Sequence, residues 1–253
     1  MASPLHHKIE GSGAHVVLLH RVGLDLTFLE PVAAELRRNF TILSVDLRGH
    51  GQSPAVSPAQ SLDDYADDVH ALLHKRGFAP AAMVGFSFGG MVAQHLALKY
   101  PQDVSALAIC ACPSTLKPEN RVIAAERGAQ AERGGMRAVL DATLDRWFTP
   151  EFHASRGSDA ARDRLLSDNV GAWAQAWRAM AAIDTSARLG AIRVPTLCVA
   201  GEFDKSSPPE IVAAIAERIS GARFAVISGA PHMLFIEQPK AVARIIGDFL
   251  AEL

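Results

Sequence analysis

The sequence predicts an α/β fold, a mostly parallel sheet with helices on both faces and an inserted helical cap. Two observations carry this. Short, continuous runs rich in Val, Ile and Leu alternate with longer amphipathic stretches, as in strands buried on both faces and linked by helices. One long segment, from Pro113 to Ile192, breaks that rhythm with helical pieces and no convincing strand.

Of the strands, "HVVLLH" (His15–His20), "FTILSVD" (Phe40–Asp46) and "AAMVGF" (Ala81–Phe86) come first. "VSALAICAC" (Val104–Cys112), "PTLCVAG" (Pro195–Gly201) and "RFAVISG" (Arg223–Gly229) follow. Between them Leu26–Asn39, Ser61–Lys75, Phe88–Tyr100, Pro208–Ile219 and Gln238–Leu253 have helical spacing. Ser61 and Asp64 form a capping-box pattern at the start of the second helix. Pro101 and Gly221 lie at the ends of two others.

The interrupted segment is broken at Arg133–Gly135, Thr149–Pro150 and Arg156–Asp159. It is too long for a loop of a compact domain. It reads as a cap, residues 113–192, inserted into a core of residues 1–112 and 193–253. Sites of open parallel sheets lie beyond the carboxyl ends of the strands, and a cap inserted after a strand covers that end.

Composition narrows the function classes. The chain has 253 residues, 49% of them hydrophobic, so one large core can form, and its formal net charge of −2 comes with no basic stripe for nucleic acid. No apolar run approaches the roughly 20 residues of a membrane span. The first residues lack the apolar core of a signal peptide, so a cytoplasmic protein is the expectation. Cys110, Cys112 and Cys198 fall in strand-like runs and are expected to be buried free thiols.

The chemistry centres on "GFSFGG", Gly85 to Gly90. It fits G-x-S-x-G between a strand and a helix, the setting of a nucleophile elbow, with Ser87 at the tip of a sharp turn. Gly85 and Gly89 leave room for backbone to pass close by. A serine hydroxyl needs a base, and the base needs an orienting carboxylate. Downstream lie His95, His153 and His232. His95 is two turns into the helix that Ser87 begins, and His153 is in the cap. His232, in "SGAPHM" after the last strand, is therefore the candidate base. "VAGEFD" offers the acid: Asp204 at the strand end, with Glu202 in reserve.

These segments, "HVVLLHRVG", "VDLRGHGQS", "GFSFGGMVAQ", "VAGEFD" and "APHM", resemble the α/β-hydrolase superfamily in order and spacing over nearly the whole chain. "HRVGLD", "DLRGHGQS" and "RWFTPEF" resemble in particular the 3-oxoadipate enol-lactonase group. The resemblance implies an eight-stranded sheet and acyl transfer by Ser87, His232 and Asp204. Another acid position used in that superfamily reads "CPSTL" here, without a carboxylate, which favours Asp204. The oxyanion donors implied are the backbone N–H groups of Phe88 and Val22. "DLRGHGQS" is read as a structural turn, and His50 within it is not a base candidate.

Substrate contacts are expected from Trp147 and Phe148 in the cap and from Met233 beside His232. Trp173 and Trp177 are read as the cap's packing surface. Arg21 stands where the superfamily usually has Gly. Its side chain either reaches the pocket to pair with a substrate carboxylate, or points outward or forms a structural ion pair, with Asp25 for instance. The expected function is a serine hydrolase acting on an ester or (enol-)lactone of a small molecule, an acidic one if Arg21 faces the pocket. A carbon–carbon bond hydrolase of ring-fission products and a ligand-binding protein on the same fold are the alternatives. No metal or cofactor is expected: no G-x-G-x-x-G follows the first strand, and neither a His-x-x-x-His nor a His/Glu zinc pattern is expected in the chain. The oligomeric state is left open.

Overall fold

A computed structural model describes residues 4–55 and 61–253. The strands are β1 (His7–Gly11), β2 (Ala14–Leu19), β3 (Phe40–Val45), β4 (Ala81–Phe86), β5 (Val104–Cys110), β6 (Thr196–Gly201) and β7 (Arg223–Ile227). They form one sheet in the order β1-β3-β2-β4-β5-β6-β7. β1 runs antiparallel to β3 and every other pair is parallel. All six strands expected from apolar runs are present.

The expectation of eight strands is corrected to seven among the described residues. The strand not anticipated is β1. Its sequence, His-Lys-Ile-Glu-Gly, is charged and mostly exposed, as suits the edge of a sheet, and it gives no apolar run.

The helices are α1 (Glu30–Leu36), α2 (Leu62–Arg76), α3 (Phe88–Lys99), α4 (Pro118–Gly134), α5 (Arg137–Trp147) and α6 (Pro150–Ala154). They continue with α7 (Asp159–Leu166), α8 (Val170–Ala181), α9 (Pro209–Ala216), α10 (Leu234–Glu237) and α11 (Pro239–Ala251). The first expected helix is shorter than its pattern. Leu26–Leu29 forms a 3₁₀ turn capped by Asp25, and α1 starts beside Pro31. The capping box of α2 is present, and Gly77 ends that helix in the left-handed conformation at φ 62°.

Helices α4 to α8 lie between β5 and β6, and the three expected breaks fall between them. The chain leaves and re-enters the sheet region at one place. Thr115 bridges Asp184, and the Thr185 N–H donates to the Ser114 carbonyl at 2.8 Å. Gln94 of α3 ties both ends, donating to the Pro113 carbonyl at 3.1 Å and accepting from the Thr185 hydroxyl at 2.6 Å. The insertion is thus anchored on the helix that follows Ser87.

The turn from β4 into α3 depends on small residues. A Cβ on Gly85 would lie 2.3 Å from the Gly89 carbonyl oxygen, and one on Gly89 would lie 2.3 Å from that of Leu19 in β2. A Cβ on Gly90 would meet the Cys112 sulfur at 2.6 Å. The backbones of α3, β2 and β4 therefore touch directly. Gly89→Ala is expected to destabilise the protein by about 3 kcal/mol or more, because backbone must shift to admit the methyl group. Urea denaturation measures this, and an unchanged midpoint would contradict the close approach.

Candidate active site

Ser87 sits between β4 and α3 with φ 52° and ψ −110°, a conformation that L-residues rarely adopt. Its N–H donates to the Cys110 carbonyl at 2.8 Å, and its carbonyl accepts the Met91 N–H at 3.0 Å. Both bonds hold the strained turn. The hydroxyl is left at the tip, 3.0 Å from His232 Nε2.

His232 Nδ1 lies 2.8 Å from Asp204 Oδ2. The other carboxylate oxygen, Oδ1, accepts the Ser206 N–H at 2.7 Å and the Ser207 N–H at 2.9 Å. Burial pushes the Asp204 carboxyl up, but the His232 imidazole and the two backbone N–H groups outweigh it and hold the carboxyl below the usual carboxylate range. Ser87, His232 and Asp204 are all buried, so the chain of contacts is shielded from water.

The competing candidates are elsewhere. His95 bonds Asp63 at 2.7 Å, and His153 meets Ser158 at 2.6 Å. Glu202 accepts from the Ser228 hydroxyl and the Gly229 N–H, each at 2.7 Å. It braces the turn that leads to His232 and does not contact the imidazole. A Cβ on Gly201 would lie 2.5 Å from the Ala230 and Pro231 carbonyl oxygens, so the His232 loop rests directly on the end of β6.

β2 pairs with β4 so that Leu19 faces Gly85, which places the loop His20–Leu24 beside the Ser87 turn. His20 fixes that loop. Its Nε2 accepts the Leu47 N–H at 2.9 Å, so the proton is on Nδ1, which donates to the Arg21 carbonyl at 2.7 Å. Burial, with the nearby His50 ring, pushes the His20 pKa down to about 3. The Arg21 carbonyl also accepts the Leu24 N–H at 3.3 Å. In a trans peptide the Val22 N–H points opposite to that carbonyl. His20 was not singled out from sequence, although its place at the strand end, next to the loop, was the available signal. Phe88 is the first residue of α3, so its N–H has no acceptor within the helix.

Arg21 does not pair with Asp25. Asp25 caps Thr27 and binds Arg164 at 2.7 Å. Arg21 is 2% exposed, and its guanidinium carbon lies 3.5 Å from the centroid of the Trp147 ring. Among the described residues, its Nε and Nη1 have no hydrogen-bond partner. Burial presses its pKa well below the usual arginine value, the charge of Arg127 adds to this, and Asp204 opposes it. Arg127, which the sequence did not mark, reaches over Trp177 with its guanidinium carbon 4.8 Å from the ring centroid.

Trp147 and Phe148, at the end of α5, are buried, with ring centroids 6.3 Å apart. The Trp147 carbonyl accepts the Met233 N–H at 3.0 Å, which joins the end of α5 to the residue after His232. Met233 is fully buried. Trp173 packs on the loop after β2: a Cβ on Gly23, at φ 81°, would lie 2.5 Å from its ring. In "DLRGHGQS" the Asp46 carboxylate accepts from the Leu26 and Gln52 N–H groups, and Arg48 binds Asp68 through two nitrogens, so the segment braces its surroundings. All three cysteines are free and buried.

A seven-stranded, mostly parallel sheet with a strained serine between strand and helix defines an α/β hydrolase, and the chain belongs to the alpha/beta hydrolase family, whose match spans residues 16–245. It is an enzyme of that class. It is similar to 3-oxoadipate enol-lactonase 1 of Acinetobacter baylyi, 26% identical over 237 residues covering 93% of this chain and 88% of that one. The crystal structure of the enol-lactonase from Burkholderia xenovorans LB400 matches with a TM-score of 0.92 and 30% identity, covering 98% of this chain and 96% of that one. A thermophilic esterase from Thermogutta terrifontis, its structure described as malate bound, matches with a TM-score of 0.92 and 29% identity over 98% and 93% of the two chains. Among the described residues no helix is long and apolar enough to cross a membrane.

The His20 ring is expected to stay neutral in the folded protein from pH 8 down to pH 4, since its pKa is lowered to about 3. The unfolded chain takes up a proton near pH 6.5, so this group's contribution to stability falls as pH drops from there towards 3. An NMR titration of the histidine rings checks this. A His20 resonance titrating near pH 6.5 in folded protein would contradict it.

Proposed function

We propose that the protein is a serine hydrolase that cleaves a carboxylic ester or (enol-)lactone of a small, acidic substrate through an acyl-enzyme. The observation that carries the reading is the unbroken chain of contacts from Ser87 Oγ through His232 to Asp204 at the tip of the β4–α3 turn. His232 takes the hydroxyl proton as Ser87 Oγ bonds to the substrate carbonyl carbon. Asp204 holds the ring with its proton on Nδ1 and stabilises the imidazolium. The tetrahedral oxyanion accepts from the N–H groups of Phe88 and Val22, worth about 3 kcal/mol each by analogy with removed donors. His232 then gives its proton to the leaving oxygen, and in a lactone that oxygen stays attached to the acyl chain. Water, deprotonated by His232, attacks the acyl-enzyme and releases the acid and Ser87.

The acidic substrate follows from Arg21. Among the described residues the buried Nε and Nη1 of Arg21 have no acceptor, which is strongly unfavourable, and a ligand carboxylate would supply the missing partner. Trp147 and Phe148 would line the pocket with Met233, under a cap of residues 113–192 on a core of residues 1–112 and 193–253. The names of the similar proteins agree in kind: an enol-lactonase, and an esterase whose structure holds the dicarboxylate malate. The chemistry asks for no metal or cofactor.

The test is a hydrolysis screen of short aryl esters, lactones and enol-lactones, in neutral and carboxylate-bearing pairs. Ser87→Ala is expected to lower kcat at least about 10³-fold while leaving the fold intact. Turnover of dienoic ring-fission products alone, with no ester or lactone cleaved, would overturn the reading. Arg21→Met is expected to raise KM for the carboxylate-bearing substrates ~30-fold and to spare the neutral ones. Equal effects on both sets would reject the role given to Arg21.

A further inference from the structure

On α2, His70 and His74 stand four residues apart, which puts them on one face of the helix. This corrects the expectation that the chain has no zinc-type histidine pattern. Facing them is Asp103, the last residue of the 3₁₀ turn Pro101–Asp103 that leads into β5. His70 Nδ1 lies 2.5 Å from Asp103 Oδ2, and His74 Nε2 lies 3.0 Å from Oδ1. One ligand atom from each residue can be chosen so that all lie within 4.8 Å of one another.

We propose that His70, His74 and Asp103 form a binding site for one divalent transition-metal ion of the zinc type. The donor set fits: two neutral imidazole nitrogens and one carboxylate oxygen suit zinc and its first-row neighbours, whereas Mg²⁺ and Ca²⁺ favour oxygen ligands. Bonds of about 2.1 Å in a tetrahedron place ligand atoms about 3.4 Å apart. The present spacing reaches that with small adjustments: the carboxylate turns away from His70 while the His74 ring closes in.

Two of the three groups are already held. Asp103 is 1% exposed, and its N–H donates to the Tyr100 carbonyl at 3.0 Å. The His70 ring lies flat on Tyr100, with centroids 3.8 Å apart and planes at 7°, and the Tyr100 hydroxyl is anchored on Asp67 at 2.9 Å. His74 has a side chain 55% exposed and is the ligand that an ion from solvent would meet first. The open side leaves a fourth position for water. His74 falls in the last turn of α2, where the helix dipole favours a cation. In the structure the carboxylate holds the two rings by hydrogen bonds; the ion would take the place of the ring proton facing each oxygen, each neutral ring then carrying its one proton on its other nitrogen.

The site is remote from Ser87. Asp103 precedes the first residue of β5, whereas the Ser87 N–H bonds to Cys110 at the last. A strand of this length spans roughly 20 Å. The ion would therefore act as a clip between α2 and the start of β5, with no part in the chemistry at Ser87.

The test uses the full-length protein stripped of metal with EDTA. Zn²⁺ is titrated by calorimetry and Co²⁺ by visible absorption. One equivalent should bind, with the absorption of a four-coordinate Co²⁺ centre that Zn²⁺ displaces, and Zn²⁺ should raise Tm. His74→Ala, at an exposed position, should fold normally, weaken Zn²⁺ binding at least about tenfold and remove the Tm shift, with ester hydrolysis unchanged. No stoichiometric binding would leave the cluster as a hydrogen-bonded pin and overturn the proposal. Equal binding by wild type and His74→Ala would place the ion elsewhere and overturn it as well.

Discussion

Ser87 is held in a backbone conformation that its own side chain disfavours, and the arrangement of the site follows from that constraint. A residue at φ 52° between a strand and a helix must be over-determined by its neighbours. Here the neighbours are backbone. Gly85, Gly89 and Gly90 let α3 press on β4, β2 and Cys112, and the Ser87 N–H is tied to Cys110. The contact that excludes a side chain at Gly89 also brings Leu19 and His20 against the start of α3. One close approach thus presents the serine and sets the adjacent loop beside it, and neutral His20 then orients the peptide of that loop.

The helical insertion depends on the same frame. Its ends are tied through Gln94 and Thr185 to α3, and the end of α5 is tied through the Trp147 carbonyl to Met233. Trp173 meets the loop after β2 at Gly23, and Trp147 covers Arg21. The loop therefore lies sandwiched between the serine turn and the insertion. Among the described residues the buried Nε and Nη1 of Arg21 have no acceptor there, and the ring face of Trp147 and the charge of Asp204 offset part of the desolvation. This buried charge underlies the reading of an acidic substrate.

The six parallel strands were legible because burial on both faces writes itself as unbroken Val, Ile and Leu runs. β1 was not, because an exposed edge strand has no such run. Ser87 was legible from its glycines and His232 from its place after the last strand. Asp204 and Glu202 sit two residues apart at the end of one strand, and spacing alone ranks them only weakly. Their separation comes from the turn at Ser228 and Gly229, which captures Glu202. Arg21 was visible as an unusual residue, but its burial against Trp147 joins segments more than a hundred residues apart. Arg127 carried no local signal either, since its contact with Trp177 joins two separate helices of the insertion. His70 and His74 were present as a spacing, and only Asp103, brought in by the fold, gives that spacing a third ligand.

The most direct test of the central claim, that Ser87 is an activated nucleophile, is intact-protein mass spectrometry after exposure to a fluorophosphonate. One adduct per chain, mapped to Ser87 and strongly slowed in His232→Ala, is the predicted result. Folded wild-type protein with no adduct, or with an adduct on another residue, would contradict the account.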